Sequence, residues 1–458
     1  MLGLWGVRRQ GSVWRDEAVT YDMAHRTLPE LWATAAHVDL VHSAYYLLMH
    51  GLFLVFGSMD PLLVMRLPSV AAAAVATAGV TVLGRRLVGL RAGVAAGALF
   101  AVVPQIQRFA QEGRSYALVT ACVVWATYLL IHAIRSRSAW TWSGYAVLML
   151  TAAILHEFAI LALVAHAWAV PRDARRHWAV AAFVAVAGVA PLALLSTGQT
   201  AQVAWIGMNV GGLVWFLGSG TVAALCARRL LRHRAAGPGT GGDSGEVLLV
   251  RVALPLAVLP GAILLLASLV HPLFEDRYVL YSIVGQALLA GAALDRILRG
   301  RGRKKAVLVV VALALLAVAA YSPHLRAPDS RRDDATAIAQ AVRQLEAPGD
   351  GVLYEPGHRR VWSLTRPETF AGLRDLALYK APDRSGWLYG TEVSASVIRS
   401  RMLHERRIVV LRDPAGEPLD DSPGEKVKRD VLSQEFQERV TLLPHGARVS
   451  LYTRRDHS

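Results

Sequence analysis

From residue 67 onward the chain is patterned in windows of about 17–24 residues with almost no charged positions, each long enough to cross a hydrocarbon core of roughly 30 Å. The pattern predicts about ten membrane spans, at 67–84, 92–108, 115–134, 139–156, 158–170, 178–196, 209–227, 247–270, 278–298 and 305–321. The apolar stretch Ser43–Gly57 is too short to span, so it predicts a juxtamembrane helix that lies at the interface or packs on the bundle. Arg234–Glu246, rich in glycine, reads as a flexible linker. After residue 326 the composition shifts: charges return and apolar runs shorten. "DDATAIAQAVRQLEA" and "EKVKRDVLSQEFQERV" carry helical periodicity, whereas "DGVLYEP", "RIVVLRD" and "ARVSLYTR" read as strands.

The fold class expected is an all-α polytopic membrane bundle with outer-face juxtamembrane helices and a C-terminal α/β domain. Its expected parts are a first outer loop at 1–66, a transmembrane domain at 67–326 and the α/β domain at 327–458.

The connections between spans alternate in charge. One set holds Arg85, Arg86 and Arg91, then Arg135 and Arg137, then Arg172, Arg175 and Arg176, then Arg228, Arg229, Arg232 and Arg234, then Arg299, Arg301, Arg303, Lys304 and Lys305. The other set, near 109–114, 157, 197–208 and 271–277, holds only Arg114 and Arg277 as basic residues. Lysine and arginine are retained on the cytoplasmic side, so the first set is expected inside and the second outside. Residues 1–66 and the C-terminal domain then lie outside as well. That placement carries a further expectation: a span ahead of Met1, with Leu2–Val7 as its last turns, to export the first loop.

Composition changes this picture little. The 458 residues are 54% hydrophobic, which fits a multi-pass cell-membrane protein. The formal charge of +15 sits largely in the basic loops and calls for no nucleic-acid partner. The two cysteines, Cys122 and Cys226, fall inside apolar spans and supply no disulfide framework.

Ionisable groups near a bilayer cost free energy, yet they gather in four places, all on the expected outer side. Asp16 and Glu17 open a helix, with Asp39 and His42 further along in "HVDLVHSAYY". Arg108, Gln111, Glu112, Arg114 and Tyr116 lie in "RFAQEGRSY", Gln199, Gln202 and Trp205 in "TGQTAQVAWI", and His271, Glu275, Asp276, Arg277 and Tyr278 in "HPLFEDRYVL". Each has a structural alternative. An acid pair at a helix start complements the helix dipole, Glu112 and Arg114 form a loop ion pair, Arg277 anchors the interface, and Tyr45 and Tyr46 pack. Convergence on one face favours chemistry. A carboxylate accepts the proton of an attacking hydroxyl, guanidinium forks bind phosphate oxygens, and a groove between helices holds a lipid tail. Together these describe sugar transfer from a lipid phosphate to a hydroxyl.

The stretches "WRDEAVT", "DLVHSAYYLLMH", "FGSMDPLLVMRLPSV", "AQEGRSYAL" and "FEDRYVL" resemble the C-type membrane glycosyltransferases, in the branch of bacterial protein O-mannosyltransferases and aminoarabinose transferases (glycosyltransferase family 39). The resemblance runs over about residues 1–300. It implies that Asp16 is the catalytic aspartate, the base for the acceptor hydroxyl, that Glu17 supports it, and that Glu112 is the second acidic position. It implies Arg114, Arg277 and Tyr278 as contacts of the donor phosphate, and Asp39, His42, Tyr45 and Gln202 as the substrate loop. The implied donor is a polyprenyl-phosphate sugar, by family mannose, transferred with inversion to a protein, lipid or glycan acceptor. No cofactor is firmly implied; a divalent metal at the acidic site stays open. Where many relatives read His-Pro-Pro, this chain reads His42-Ser43-Ala44. The alternative class is a transporter or flippase of lipid-linked precursors. That class often shows inverted repeats with broken helices, and no such repeat stands out.

The loop alternation sets an expected topology. Reporter fusions after Arg86, Arg137, Arg176, Arg234 and Arg303 report cytoplasm; fusions after Gly113 and Arg326 report the outside. A C-terminal segment reachable only from the cytoplasm overturns the outer placement.

Overall fold

In a computed structural model, the structure describes residues 1–199, 210–232, 243–299 and 303–456. Gln202, Trp205 and most of the glycine-rich linker lie outside the described residues. The chain divides into two units. The first comprises Met1–Val7, Leu40–Tyr45 and Arg66–Leu325; the second comprises Arg8–Asp39, Tyr46–Met65 and Arg326–Ser458.

The first unit is helical, and the protein is a multi-pass membrane protein. Among the described residues, six helices are long and apolar enough to cross a membrane: Pro61–Leu87, Tyr116–Ser136, Arg172–Gln199, Gly211–Arg232, Gly245–Ala267 and Val307–Leu325. The other four windows form shorter helices. The window 92–108 breaks into Leu90–Val102 and Pro104–Phe109. Val103 takes ψ 127° ahead of Pro104, because the proline ring excludes the helical conformation from the residue before it. The window 139–156 gives Ala139–Leu155, and 158–170 gives a 3-10 turn, Glu157–Ile160, followed by Leu161–Ala167. The window 278–298 starts as a 3-10 turn, Asp276–Val279, and continues as the helix Ser282–Ile297. Ten spans are therefore not reached on helix length alone.

Small residues let these helices approach. A Cβ built on Gly291 would meet the backbone N of Ala96 at 2.5 Å, and one on Gly93 would meet the backbone of Thr81 and Arg85. Buried polar side chains pair across helices instead of facing lipid. His166 Nε2 meets Thr127 Oγ1 at 2.9 Å and its Nδ1 meets the Tyr145 hydroxyl at 3.0 Å, while Trp178 Nε1 donates to that hydroxyl at 3.2 Å.

The expected juxtamembrane helix forms at Ser43–Phe56. Pro61–Leu87 starts six residues before the pattern placed it. Asp60 caps it, accepting from Leu62 N at 2.9 Å and Leu63 N at 3.3 Å, and Pro61 opens the first turn.

The second unit holds the small α/β structure. Its strands are β1 (Gly351–Glu355), β2 (Arg374–Asp375), β3 (Leu378–Lys380), β4 (Thr391–Glu392), β5 (Arg407–Arg412), β6 (Phe436–Leu442) and β7 (Arg448–Arg454). Five of them make one sheet in the order β2-β1-β5-β7-β6, while β3 and β4 pair separately. β1 runs parallel to β2 and β5; β7 runs antiparallel to β5 and β6. Leu353, Ile408 and Val410 from the strands pack with Ile398, Met402, Val431 and Phe436. The helix Ala335–Leu345 is capped by Asp334, which accepts from Thr336 N and Ala337 N. The helix expected through Val440 ends at Glu435, and β6 begins at the buried Phe436. Pairing with β7 overrides the helical period there.

Close helix approach makes one residue decisive in the membrane unit. Gly291→Val pushes a branched side chain into the Ala96 backbone. The expected result is a lower unfolding temperature in detergent, by about 2 °C for each 1 kcal/mol lost. A Gly291→Val protein as stable as the parent would show that these two helices do not pack as described.

Candidate functional site

In the first unit the expected polar loops come together. Glu112 and Arg114 lie between Pro104–Phe109 and Tyr116–Ser136, and Ser69 on Pro61–Leu87 holds this turn. Its hydroxyl lies 2.7 Å from the carbonyl oxygen of Glu112 and 3.1 Å from that of Arg114. Gln111 Nε2 donates to the carbonyls of Gly3 and Trp5 at 2.9 and 2.7 Å. Arg66 Nη1 donates to the Val7 carbonyl at 2.8 Å. The N-terminal segment is thereby tied to the same loop. The Glu112 side chain is fully buried and pairs with Arg108, whose Nε lies 3.4 Å from Oε1. Arg108 is an ion-pair partner of Glu112 that the sequence did not suggest.

Beside this turn lies an aromatic cluster with a cationic rim. His156 closes the helix Ala139–Leu155, and its ring centroid stands 4.7 Å from that of Tyr278, 5.5 Å from Tyr116 and 5.7 Å from His42. Phe158 joins them, its ring centroid 5.4 Å from Tyr278 and 5.6 Å from His156. The Arg277 guanidinium lies 5.6 Å from the Tyr278 ring centre and 6.0 Å from that of Tyr116, in cation–π range. Arg114 and Arg277 are both within electrostatic reach of His156. The Tyr281 hydroxyl donates to the Phe158 carbonyl at 2.9 Å, fixing the 3-10 turn that carries Arg277 and Tyr278. Tyr45 is fully buried. Leu40 N donates to Gln199 Oε1 at 3.1 Å, tying the His42 turn to the third polar loop. So His42, Arg114, Tyr116, Arg277 and Tyr278, expected from separate loops, sit together. Such a set of guanidinium and imidazole groups is suited to a phosphate.

His156 and Ser69 were not singled out from sequence. The signal for His156 was present as a His-Glu pair interrupting two apolar runs; Glu157 accepts from Ser196 Oγ at 2.9 Å. Ser69, a hydroxyl inside an apolar helix, carried no signal.

The acid pair belongs to the second unit. Asp16 and Glu17 occupy the first turn of Arg15–His25. The capping role is filled by Asp333, whose Oδ1 accepts from Arg15 N at 2.9 Å, while Trp362 Nε1 donates to its Oδ2 at 3.2 Å. Burial pushes the Asp333 carboxyl above its ordinary range; Arg15 opposes that and Asp16 adds to it. The two acids differ sharply. Glu17 is fully buried and bonded by Arg9 Nη2 at 2.5 Å, whereas Asp16 is half-buried. Asp39, at φ +60°, accepts from the Tyr46 hydroxyl. Among the described residues no group of three or more His, Cys, Asp or Glu side chains is arranged to hold a metal ion.

The motifs of the sequence resemble those of the C-type membrane glycosyltransferases. Residues 44–198 match the family model of dolichyl-phosphate-mannose–protein mannosyltransferases. Two solved structures of ArnT from Cupriavidus metallidurans share the fold. The apo form has TM-score 0.52 at 12% identity, covering 89% of this chain and 86% of that one. The form bound to undecaprenyl phosphate has TM-score 0.53 at 13% identity, covering 89% and 87%. The archaeal oligosaccharyltransferase AglB from Archaeoglobus fulgidus, in complex with an inhibitory peptide and a dolichol-phosphate, has TM-score 0.50 at 12% identity, covering 99% of this chain and 73% of that one. No curated protein sequence matches the chain.

The buried Arg9–Glu17 pair generates a stability test. Arg9→Met leaves a buried carboxylate without its guanidinium, and breaking such a pair costs about 3–5 kcal/mol. Arg9→Met with Glu17→Met is expected to recover most of that loss in thermal unfolding. Equal stability of Arg9→Met and the parent would show that the pair is not buried in the folded protein.

Proposed function

We propose that this protein is a membrane glycosyltransferase that moves a sugar, by family mannose, from a polyprenyl-phosphate donor to a hydroxyl acceptor on the outer side of the membrane. The observation that carries the reading is the aromatic cluster around His156 with Arg114 and Arg277 on it. A phosphate is the ligand that two guanidinium groups and adjacent imidazoles recognise. The family match over residues 44–198 and the shared fold support it.

In this mechanism the acceptor oxygen attacks the anomeric carbon from the face opposite the phosphate. The new C–O bond forms as the bond to the phosphate oxygen breaks, so the anomeric centre inverts. Asp16 takes the hydroxyl proton. Glu17, locked by Arg9, orients the helix turn that presents Asp16. Arg277, with Arg114 and Tyr278, holds the phosphate as it leaves with its added negative charge. Glu112, paired with Arg108, keeps the loop that carries Arg114 in place. Asp39, His42, Tyr45 and Gln202 are assigned to the substrate loop. The acceptor is a protein, lipid or glycan hydroxyl. A metal is not needed for the proton and phosphate roles named, and the acid pair is the place to look for one.

The test is a transfer assay with purified variants and a polyprenyl-phosphate sugar. Asp16→Asn is expected to reduce turnover by about 10²–10⁴-fold with folding intact. Arg277→Ala is expected to weaken donor affinity as well as rate, since phosphate binds in both ground and transition states. Glu112→Gln is expected to lower expression and stability along with activity. Full turnover in Asp16→Asn removes it from the mechanism and leaves it a first-turn helix acid.

A further inference from the structure

The α/β structure of the second unit carries a cleft of about 510 Å³. It lies where β1 and β5 end, at Glu355 and Arg412, and is closed by the segment 413–420 and the helix Pro423–Glu435. That position has a topological meaning. From β1 the chain passes to β2 on one side of the sheet; from β5 it passes through Pro423–Glu435 to β6 on the other. Where successive connections leave two adjacent parallel strands in opposite directions, a crevice opens at their carboxyl ends, and ligands bind there.

The walls are unusual for a structural groove. Glu355 and Glu425 both line it and both are more than nine-tenths buried. Glu355 Oε2 accepts from Arg412 Nε at 2.5 Å. Glu425 Oε1 accepts from Lys428 Nζ at 2.7 Å and Gly357 N at 2.8 Å. Their second oxygens, Oε1 of Glu355 and Oε2 of Glu425, take no hydrogen bond from any described residue. Buried carboxylate oxygens are ordinarily satisfied, so these two point to a donor from outside the chain. Arg412, Arg429 and Arg448 line the same cleft, with Leu419, Pro418 and Leu432 as apolar surface.

We infer that this cleft binds a saccharide. A hydroxyl both donates and accepts, so a polyhydroxylated ring meets carboxylates and guanidiniums together, and its C–H faces meet the apolar side chains. A cation would face three arginines; an anion would face the carboxylates. The volume falls within the roughly 300–1,000 Å³ of small-ligand sites. The inference does not depend on the proposed transfer chemistry: the cleft lies wholly on residues of the α/β structure and uses none of the assigned site residues.

The experiment is ligand-observed NMR titration of the full chain in bilayer discs free of glycosidic detergent. The probes are D-mannose, D-glucose, D-galactose and N-acetylglucosamine, with ethanolamine and inorganic phosphate as charged controls. At least one sugar is expected to bind saturably. Ser433→Trp, from an exposed position on the cleft wall, is expected to abolish that binding with the unfolding temperature unchanged. Glu355→Gln is expected to weaken it about tenfold or more. Should Glu355→Gln fail to fold, Ser433→Trp still decides. The absence of saturable sugar binding, sugar binding unaltered by Ser433→Trp, or binding of ethanolamine or phosphate alone overturns the inference.

Discussion

Burying charge inside an apolar chain is the constraint on which the membrane unit's site depends. Glu112 is fully buried and Arg114 nearly so, and neither tolerates that without compensation. Arg108 supplies a countercharge, Ser69 fixes the two backbone carbonyls, and Gln111 reaches the backbone of residues 3 and 5. Part of the loop's polar surface is thereby answered locally. A loop held by such contacts is suited to the phosphate-binding role proposed for Arg114.

The same constraint made much of the site legible in sequence. Arg277 and Glu112 stand out because ionisable groups beside apolar spans are costly and conspicuous. Ser69 and His156 do not, because a lone hydroxyl or imidazole at an apolar helix looks like packing. Their roles come from neighbours brought in from other helices. The six long helices were legible for the reason that apolar length is a local property. The window through Pro104 was misread as continuous, since hydropathy averages across a backbone break that a single ring imposes. In the α/β structure the strands at 351–355 and 407–412 were legible from apolar runs, but the change from helix to strand at Phe436 was not. Pairing with β7, not local periodicity, decides it.

The acid pair shows how one motif divides into two roles. Glu17 is neutralised by Arg9 and buried; it acts on structure. Asp16, one residue before it, is half-buried in the first helical turn. The cap contact to Arg15 N is made by Asp333, not by Asp16, which leaves Asp16 available for the role proposed for it. The sequence shows only that the two acids are adjacent.

The α/β structure follows a different logic from the bundle. Its charged groups are buried as networks: Lys428 reaches Glu425, Glu392 and the Tyr354 carbonyl, while Arg360 reaches Asp375 and Glu392. These networks knit the ends of the parallel strands to the helix Pro423–Glu435, so the cleft walls stand on fixed side chains. Strand order is a tertiary property, and no reading of local pattern places Glu355 beside Arg412. A chain read only for its apolar spans and the charges beside them therefore points to the bundle and hides this cleft. The topology of five short strands brings it into being.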